Sequence, residues 1–145
     1  MNREQRKDIA LLFIRIVFGI RLIYGVSDNI IHWDRMLEFR DFIASIGFPL
    51  PLLCAVVSVY AQFFAGISWI SGYKVRVFSL LTILNFIVAI IGAHLLQGDT
   101  YMNTAPAIHL LAVAFLIYFV HAGRYSVDNY LEEKRKKADI SPKDS

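Results

Sequence analysis

Four long apolar stretches separated by short polar ones organise this chain. Ile9 to Val26, Leu50 to Ser71, Val75 to Leu96 and Ala105 to His121 each approach the roughly 20 apolar residues that a helix needs to cross a bilayer core. The fourth is short but can be extended by its flanks. Inside lipid the backbone must satisfy its own hydrogen bonds, so such stretches are helices, and the period-two alternation of membrane strands is missing. Between the first and second stretches, Met36, Phe39, Phe42, Ile43 and Ile46 recur at helical spacing while Asp34, Glu38, Asp41 and Ser45 fill the other face. Trp33 to Ile46 therefore predicts an amphipathic helix lying at the membrane surface or capping the bundle, ended by Gly47 and Pro49. The expected fold is an all-α membrane protein: a four-helix transmembrane bundle with one additional amphipathic helix between spans one and two.

Composition agrees with this pattern. Of 145 residues, 57% are hydrophobic and 19% charged, against roughly 45–50% and 25% in soluble domains. Arg3, Arg6 and Lys7 precede the first apolar run as they would in a signal peptide. Arg15 and Arg21 interrupt that run, however, and no small-x-small site follows, so it reads as an uncleaved span. Residues 1–131 are expected to form the transmembrane domain. Residues 132–145 have no apolar periodicity and are expected to form a solvated, frayed tail able to touch anionic lipid.

Charge sets the expected orientation. Lys74 and Arg76 mark the junction of spans two and three, and Arg124, Lys134, Arg135, Lys136, Lys137 and Lys143 follow span four. The junction Gln97 to Thr104 holds Asp99 and no basic residue. The positive-inside rule then places both termini and the Lys74 turn in the cytoplasm of a cell (plasma) membrane protein. The net charge of +3 is concentrated towards the chain ends, which gives no support to nucleic acid as a partner.

Candidate chemistry lies in the polar residues within spans. A charge at bilayer depth is costly and is usually turned inward, so Arg15, near the middle of span one, is expected to face the bundle and bond to Gln62, Asn85 or backbone carbonyls. Arg21 lies about 120° further round the helix and closer to the outer surface, where snorkelling competes with a site role. His94 and His109 are expected near the outer side and could share a small cavity. Arg15, Arg21, Gln62, Asn85, His94 and His109 are the ligand-binding candidates, each with a purely structural alternative. Arg124 and Asp128 are expected to cap the end of span four, paired with one another. The single cysteine, Cys54, excludes an internal disulfide and any multi-cysteine cluster within the chain. No metal site is expected, haem is disfavoured, a quinone is an allowed ligand, and no catalytic set is recognisable.

The sequence resembles the DoxX family of small four-span membrane proteins. His121-Ala122-Gly123-Arg124-Tyr125-Ser126-Val127-Asp128 is similar to the family's Gly-Arg-Tyr-Ser-Leu-Asp ending, and Arg15-Ile16-Val17-Phe18-Gly19 to its Arg-x-x-x-Gly opening. Phe42 to Pro49, Gly72 to Arg76 and Asn85 to Ile90 follow in the family's order. Gln62 stands where many members carry a glutamate, and no carboxylate lies between Thr104 and His109, where many carry another. The resemblance implies a membrane component of a redox or quinone-linked system, with a membrane redox partner or a second copy as its company. The alternatives are a non-enzymatic scaffold or assembly partner, or a small transporter or lipid-binding protein. Whether the chain is an enzyme stays open.

The charge asymmetry carries a test. With Cys54 replaced and a cysteine placed at position 140, an impermeant thiol reagent added to sealed cells should leave the tail unlabelled. Labelling from outside would reverse the orientation.

Overall fold

A computed structural model describes the backbone of residues 2–140, and all regular structure among them is helical. Helix α1 (Arg3–Ile31) starts earlier than the apolar pattern does. Asn2 caps it: its side chain accepts from the Gln5 amide at 2.9 Å, and the Gln5 side chain accepts from the Asn2 amide at 3.0 Å. That reciprocal box satisfies two of the amides a helix start leaves unpaired, so polar residues that do not belong in lipid are still helical. Helix α2 (Trp33–Ser45) is the expected amphipathic segment. Helices α3 (Pro51–Ser71), α4 (Val75–Ala89) and α5 (Tyr101–Val120) complete four helices long and apolar enough to span a membrane. Helix α4 continues through a π-helical segment, Ile90–Leu95. Helix α6 (Val127–Ile140) closes the described chain. The charged stretch from Glu132, expected to be frayed, is thus helical as far as Ile140. Glu132 and Lys136 pair at 2.6 Å and Asn129 bonds Glu133 at 3.0 Å, the i to i+4 contacts that support an exposed helix. Residues 141–145 lie outside the described residues.

The bundle is open rather than closed. Helix α1 packs mainly on α3, α3 on α4 and α4 on α5, while α1 and α5 touch sparingly. Phe13, Tyr24, Leu84 and Phe119 all point outward and are exposed. An apolar exterior of this extent is stable in lipid and not in water. Without a hydrophobic force between helices in lipid, close backbone approach must hold α1 to α3. Gly19 and Gly66 provide it: a Cβ on Gly66 would lie 2.7 Å from the Gly19 carbonyl oxygen and 2.6 Å from Ile23 Cγ1.

Helix α2 folds back onto α1 and α3 instead of lying free on the surface. Its Met36 and Ile43 are buried with Val26, Ala55 and Val59, whereas Asp34, Glu38 and Asp41 remain exposed. Beyond α2, Phe48 is laid against Gly92 of the π-helical segment, where a Cβ would come within 2.6 Å of its ring. One end of the bundle therefore holds α2 and the acidic 97–100 turn. The other, the basic end, holds the Lys74 turn and the segment after α5.

The α1–α3 crossing can be tested by filling it. Gly66→Val should cost about 1–3 kcal/mol, the usual range for overpacking a tight site, read as an earlier thermal transition in detergent. A melt identical to the parent's would show that the two backbones are not in contact.

Candidate functional site

Three places in the fold gather polar side chains. At the basic end, Arg15 is 1% exposed although it sits on a membrane-spanning helix. Its Nε donates to the Trp69 carbonyl at 2.9 Å, and its Nη1 donates to the carbonyls of Ala122 and, at 3.1 Å, Tyr125. Trp69 lies in the last turn of α3, and Ala122 and Tyr125 follow α5. The guanidinium thus satisfies carbonyls that helix ends leave without donors, at the negative ends of two helix dipoles. Sequence position had put Arg15 near mid-membrane, with Gln62 or Asn85 as the side-chain acceptors. Both points are corrected. Trp69 is two residues short of the end of α3, so Arg15 works roughly 3 Å inside that end. Only the backbone carbonyls among the expected acceptors are used. The cause is the register of α1 against α3, in which Gly19 meets Gly66 and Arg15 is therefore level with Trp69, near the end of α3.

The same knot receives a carboxylate. Asp128 accepts from the amides of Lys74 at 2.8 Å and Val75 at 3.1 Å, and its own amide donates to the Gly72 carbonyl at 3.0 Å. Asp128 therefore caps the amino end of α4, where a negative charge is favoured. It does not pair with Arg124. The Arg124 amide donates to Asp8 Oδ1 at 3.2 Å, and Arg124 itself is exposed. Gly72 has φ +76, and any Cβ there would collide with Arg15 Nη2 and with Ser126. Glycine is needed at this position for both backbone angle and space. His121, at φ 65 and ψ −162, occupies a region that is essentially glycine-only. That turn delivers the Ala122 carbonyl to Arg15.

Near the opposite end, α2, α3 and α4 enclose an apolar groove of about 350 Å³. Phe39, Phe42 and Ile46 of the α2 region form one wall, and Val57, Leu84 and Val88 lie across from them. Cys54, Ser58 and Asn85 supply its few polar atoms. Cys54 Sγ is directed to the Pro49 carbonyl at 3.3 Å. Gln62, one turn from Ser58, donates to the Ser58 carbonyl at 3.4 Å and to its hydroxyl at 3.3 Å, so it is engaged within its own helix. Asn85 is half-buried in the wall. The groove abuts the π-helical segment through Ala93, and such segments occur often at functional sites. Ser58 escaped notice in the sequence, and Cys54 was weighed there only for disulfide and cluster chemistry. Their signal was the i, i+4, i+8 spacing with Gln62, which sets all three on one face of α3.

A second cleft of about 320 Å³ separates α1 from α5 and is lined by Val17, Phe18, Arg21, Pro106, His109 and Leu110. It brings together Arg21 and His109, two candidate residues that the sequence reading had not paired. His94 does not join them: its Nδ1 lies 2.7 Å from Asp99 Oδ2 in the turn beyond the π-helical segment. His109 lines this cleft and His94 does not, so the cleft is not a cavity shared by the two histidines. Among the described residues, no three His, Cys, Asp or Glu side chains converge as metal ligands would.

The knot at the basic end predicts two opposite effects on stability. Arg15→Leu strands the buried carbonyls of Trp69 and Ala122, each worth about 1–3 kcal/mol if left unpaired, so the variant should lose at least about 2 kcal/mol of bundle stability. His121→Gly removes backbone strain of about 1 kcal/mol or more and should melt later than the parent. Unchanged melting of Arg15→Leu would contradict the capping role.

Comparison with known proteins bears on the bundle as a whole. No curated protein and no solved structure matches the chain. A family model does match, over residues 10–95, which covers α1 from its second turn, α2, α3, and α4 with its π-helical segment. The match stops short of the Gly123–Asp128 stretch, so the groove between α2, α3 and α4 lies within it and the α5 wall of the second cleft does not. With more than half of its residues matched by the DoxX model and four helices able to span a bilayer, the chain is a multi-pass membrane protein that belongs to the DoxX family.

Proposed function

We propose that this protein binds an isoprenoid-quinone-like molecule in the groove between α2, α3 and α4 and serves as a membrane component of a redox system. The observation that carries this reading is the groove itself. Its volume of about 350 Å³ falls within the usual range for small-molecule sites, about 300–1,000 Å³. Its walls are aromatic and aliphatic, and Asn85 offers an amide donor among them. A quinone presents that chemistry: a flat ring for Phe39 and Phe42, a carbonyl to accept from Asn85, and a hydrocarbon tail for the lipid side. Helix α2 is the roof, and its exposed acidic face keeps it at the membrane surface. The basic end, with both termini, faces the cytoplasm of the plasma membrane in this reading, in line with the Lys and Arg distribution.

The groove has two properties a redox component needs from its protein. Its walls belong in part to helices able to span the bilayer, where a quinone dissolves, and its lining is almost wholly apolar. The electron donor or acceptor would belong to a partner. The Asn85 hydrogen bond fixes which end of the ring is held deep, and the stacked pair Phe39–Phe42, with ring centroids 6.5 Å apart, sets the plane available to it.

Binding of decylubiquinone to the protein in nanodiscs tests the reading. Saturable binding is expected, weakened about five- to ten-fold by Asn85→Leu, which removes one hydrogen bond and keeps the volume. Decane in place of decylubiquinone should compete poorly. No saturable binding, or equal binding by Asn85→Leu, would refute the quinone reading.

A further inference from the structure

Helix α6 begins at Val127, directly after the turn that follows the last span, and residues 130–138 are all exposed. Its first turn is fixed to the bundle. Asp128 accepts from the amides of Lys74 and Val75, and its own amide donates to the Gly72 carbonyl. A helix of 14 residues is marginal by itself in water, where most helical stability comes from covering one face.

The helical turn sorts the side chains of α6 by angle. With Val127 as zero, Ala138 and Leu131 lie about 20° and 40° to one side and Tyr130 about 60° to the other. This apolar stripe contains one charge, Lys134, whose long stem can lie along it with the ammonium at its edge. Arg135 and Lys137 stand about 80° to either side of Val127, at the two borders of the stripe. Glu132, Lys136 and Glu133 take the far face, at about 140°, 180° and 240°. There Glu132 and Lys136 pair with one another at 2.6 Å. Asp128, at about 100°, turns one flank to the bundle and leaves the stripe uncovered. Val127, Tyr130 and Leu131 are 39%, 64% and 37% exposed.

We propose that α6 lies flat on an anionic lipid surface, the leaflet at the basic end of the bundle. Val127, Tyr130 and Leu131 sink to the boundary between headgroups and acyl chains, and Lys134, Arg135 and Lys137 bond lipid phosphates. Charge placement favours lipid over a protein groove. A helix half sunk in the interface has phosphates level with both flanks, and this one carries a cation on each, with its glutamates turned away to water. Position agrees. Only residues 121–126 separate α6 from the last span, and Tyr125 and Tyr130, both exposed, are of the aromatic type that collects at headgroup depth. The stripe is too small to recruit a free peptide tightly, but α6 is tethered at the surface by α5, which raises its effective concentration there. This contact is separate from the groove between α2, α3 and α4, and it holds whether or not that groove binds a quinone.

The test attaches a nitrobenzoxadiazole label to a cysteine at position 138, in the stripe, or at position 136, on the far face, with Cys54 replaced. The full chain is held as one copy per nanodisc, in phosphatidylcholine alone or in an equal mixture with phosphatidylglycerol, and iodide is the quencher. In the mixture the label at 138 should be shielded and the label at 136 freely quenched. In phosphatidylcholine alone the label at 138 should become accessible. Lys134→Gln, Arg135→Gln and Lys137→Gln together should lower the ratio of docked to undocked helix roughly a hundred-fold, at roughly five-fold for each cation. Lys136→Gln, on the far face, should change the shielding at 138 little. Equal quenching at 138 and 136 in the mixture would overturn the proposal. So would shielding at 138 that is the same in both lipids or survives the triple neutralisation, because lipid charge would then play no part. Shielding that appears only in discs loaded with two copies would assign the stripe to a second copy and overturn the proposal equally.

Discussion

Four helices in lipid have no hydrophobic force to close their ends, so the free carbonyls at those ends must find donors inside the protein. Arg15 is the donor. One buried side chain on α1 reaches the last turn of α3 and the segment after α5, and so ties three parts of the chain at one point. Asp128 complements it by receiving the first amides of α4. A cation on carboxyl ends and an anion on an amino end make the basic end of the bundle a single electrostatic unit. Helix α6 is part of it through the Asp128 amide and the Gly72 carbonyl.

The open architecture follows from where this knot lies. The basic end is tied by Arg15, and α1 is held to α3 by the glycine crossing, but nothing comparable draws α1 to α5. The bundle therefore opens between those two helices, where Arg21 and His109 are displayed. At the far end α2 serves as a strap across α1 and α3, with Phe48 anchored on Gly92. The apolar groove is the space left beneath that strap. Rigid closure at one end and looser packing at the other give a membrane protein two accessible recesses of different chemistry, one apolar with an amide and one cationic.

Much of the fold was legible in the chain because lipid imposes length and polarity so strictly. The four spans and the amphipathic α2 could be read from apolar runs and from Met36, Phe39 and Ile43 at helical spacing. Arg15 was legible as a buried cation, but its depth was not. Counting from the ends of the apolar run could not show the register of α1 against α3, in which Gly19 meets Gly66 and Arg15 reaches Trp69 near the end of α3. The Asp128 contact was missed because Lys74 and Val75 are more than fifty positions away, and local spacing favoured Arg124. His94 and His109 were matched by depth alone, whereas the turn at Gly98 places Asp99 against His94. The Arg21–His109 cleft depends on how far α1 and α5 stand apart, a property of packing that no local pattern encodes.

The capping role of Arg15 is most directly tested by carbon–carbon dipolar recoupling on the protein in lipid bilayers, labelled at the Arg15 guanidinium carbon and at the backbone carbonyls of Trp69 and Ala122. Hydrogen bonds at normal separation put the guanidinium carbon about 4–5 Å from each carbonyl carbon, and build-up of both cross-peaks at that distance is the predicted result. Cross-peaks to lipid acyl carbons, with none to Trp69 or Ala122, would place Arg15 outside the knot and contradict the account.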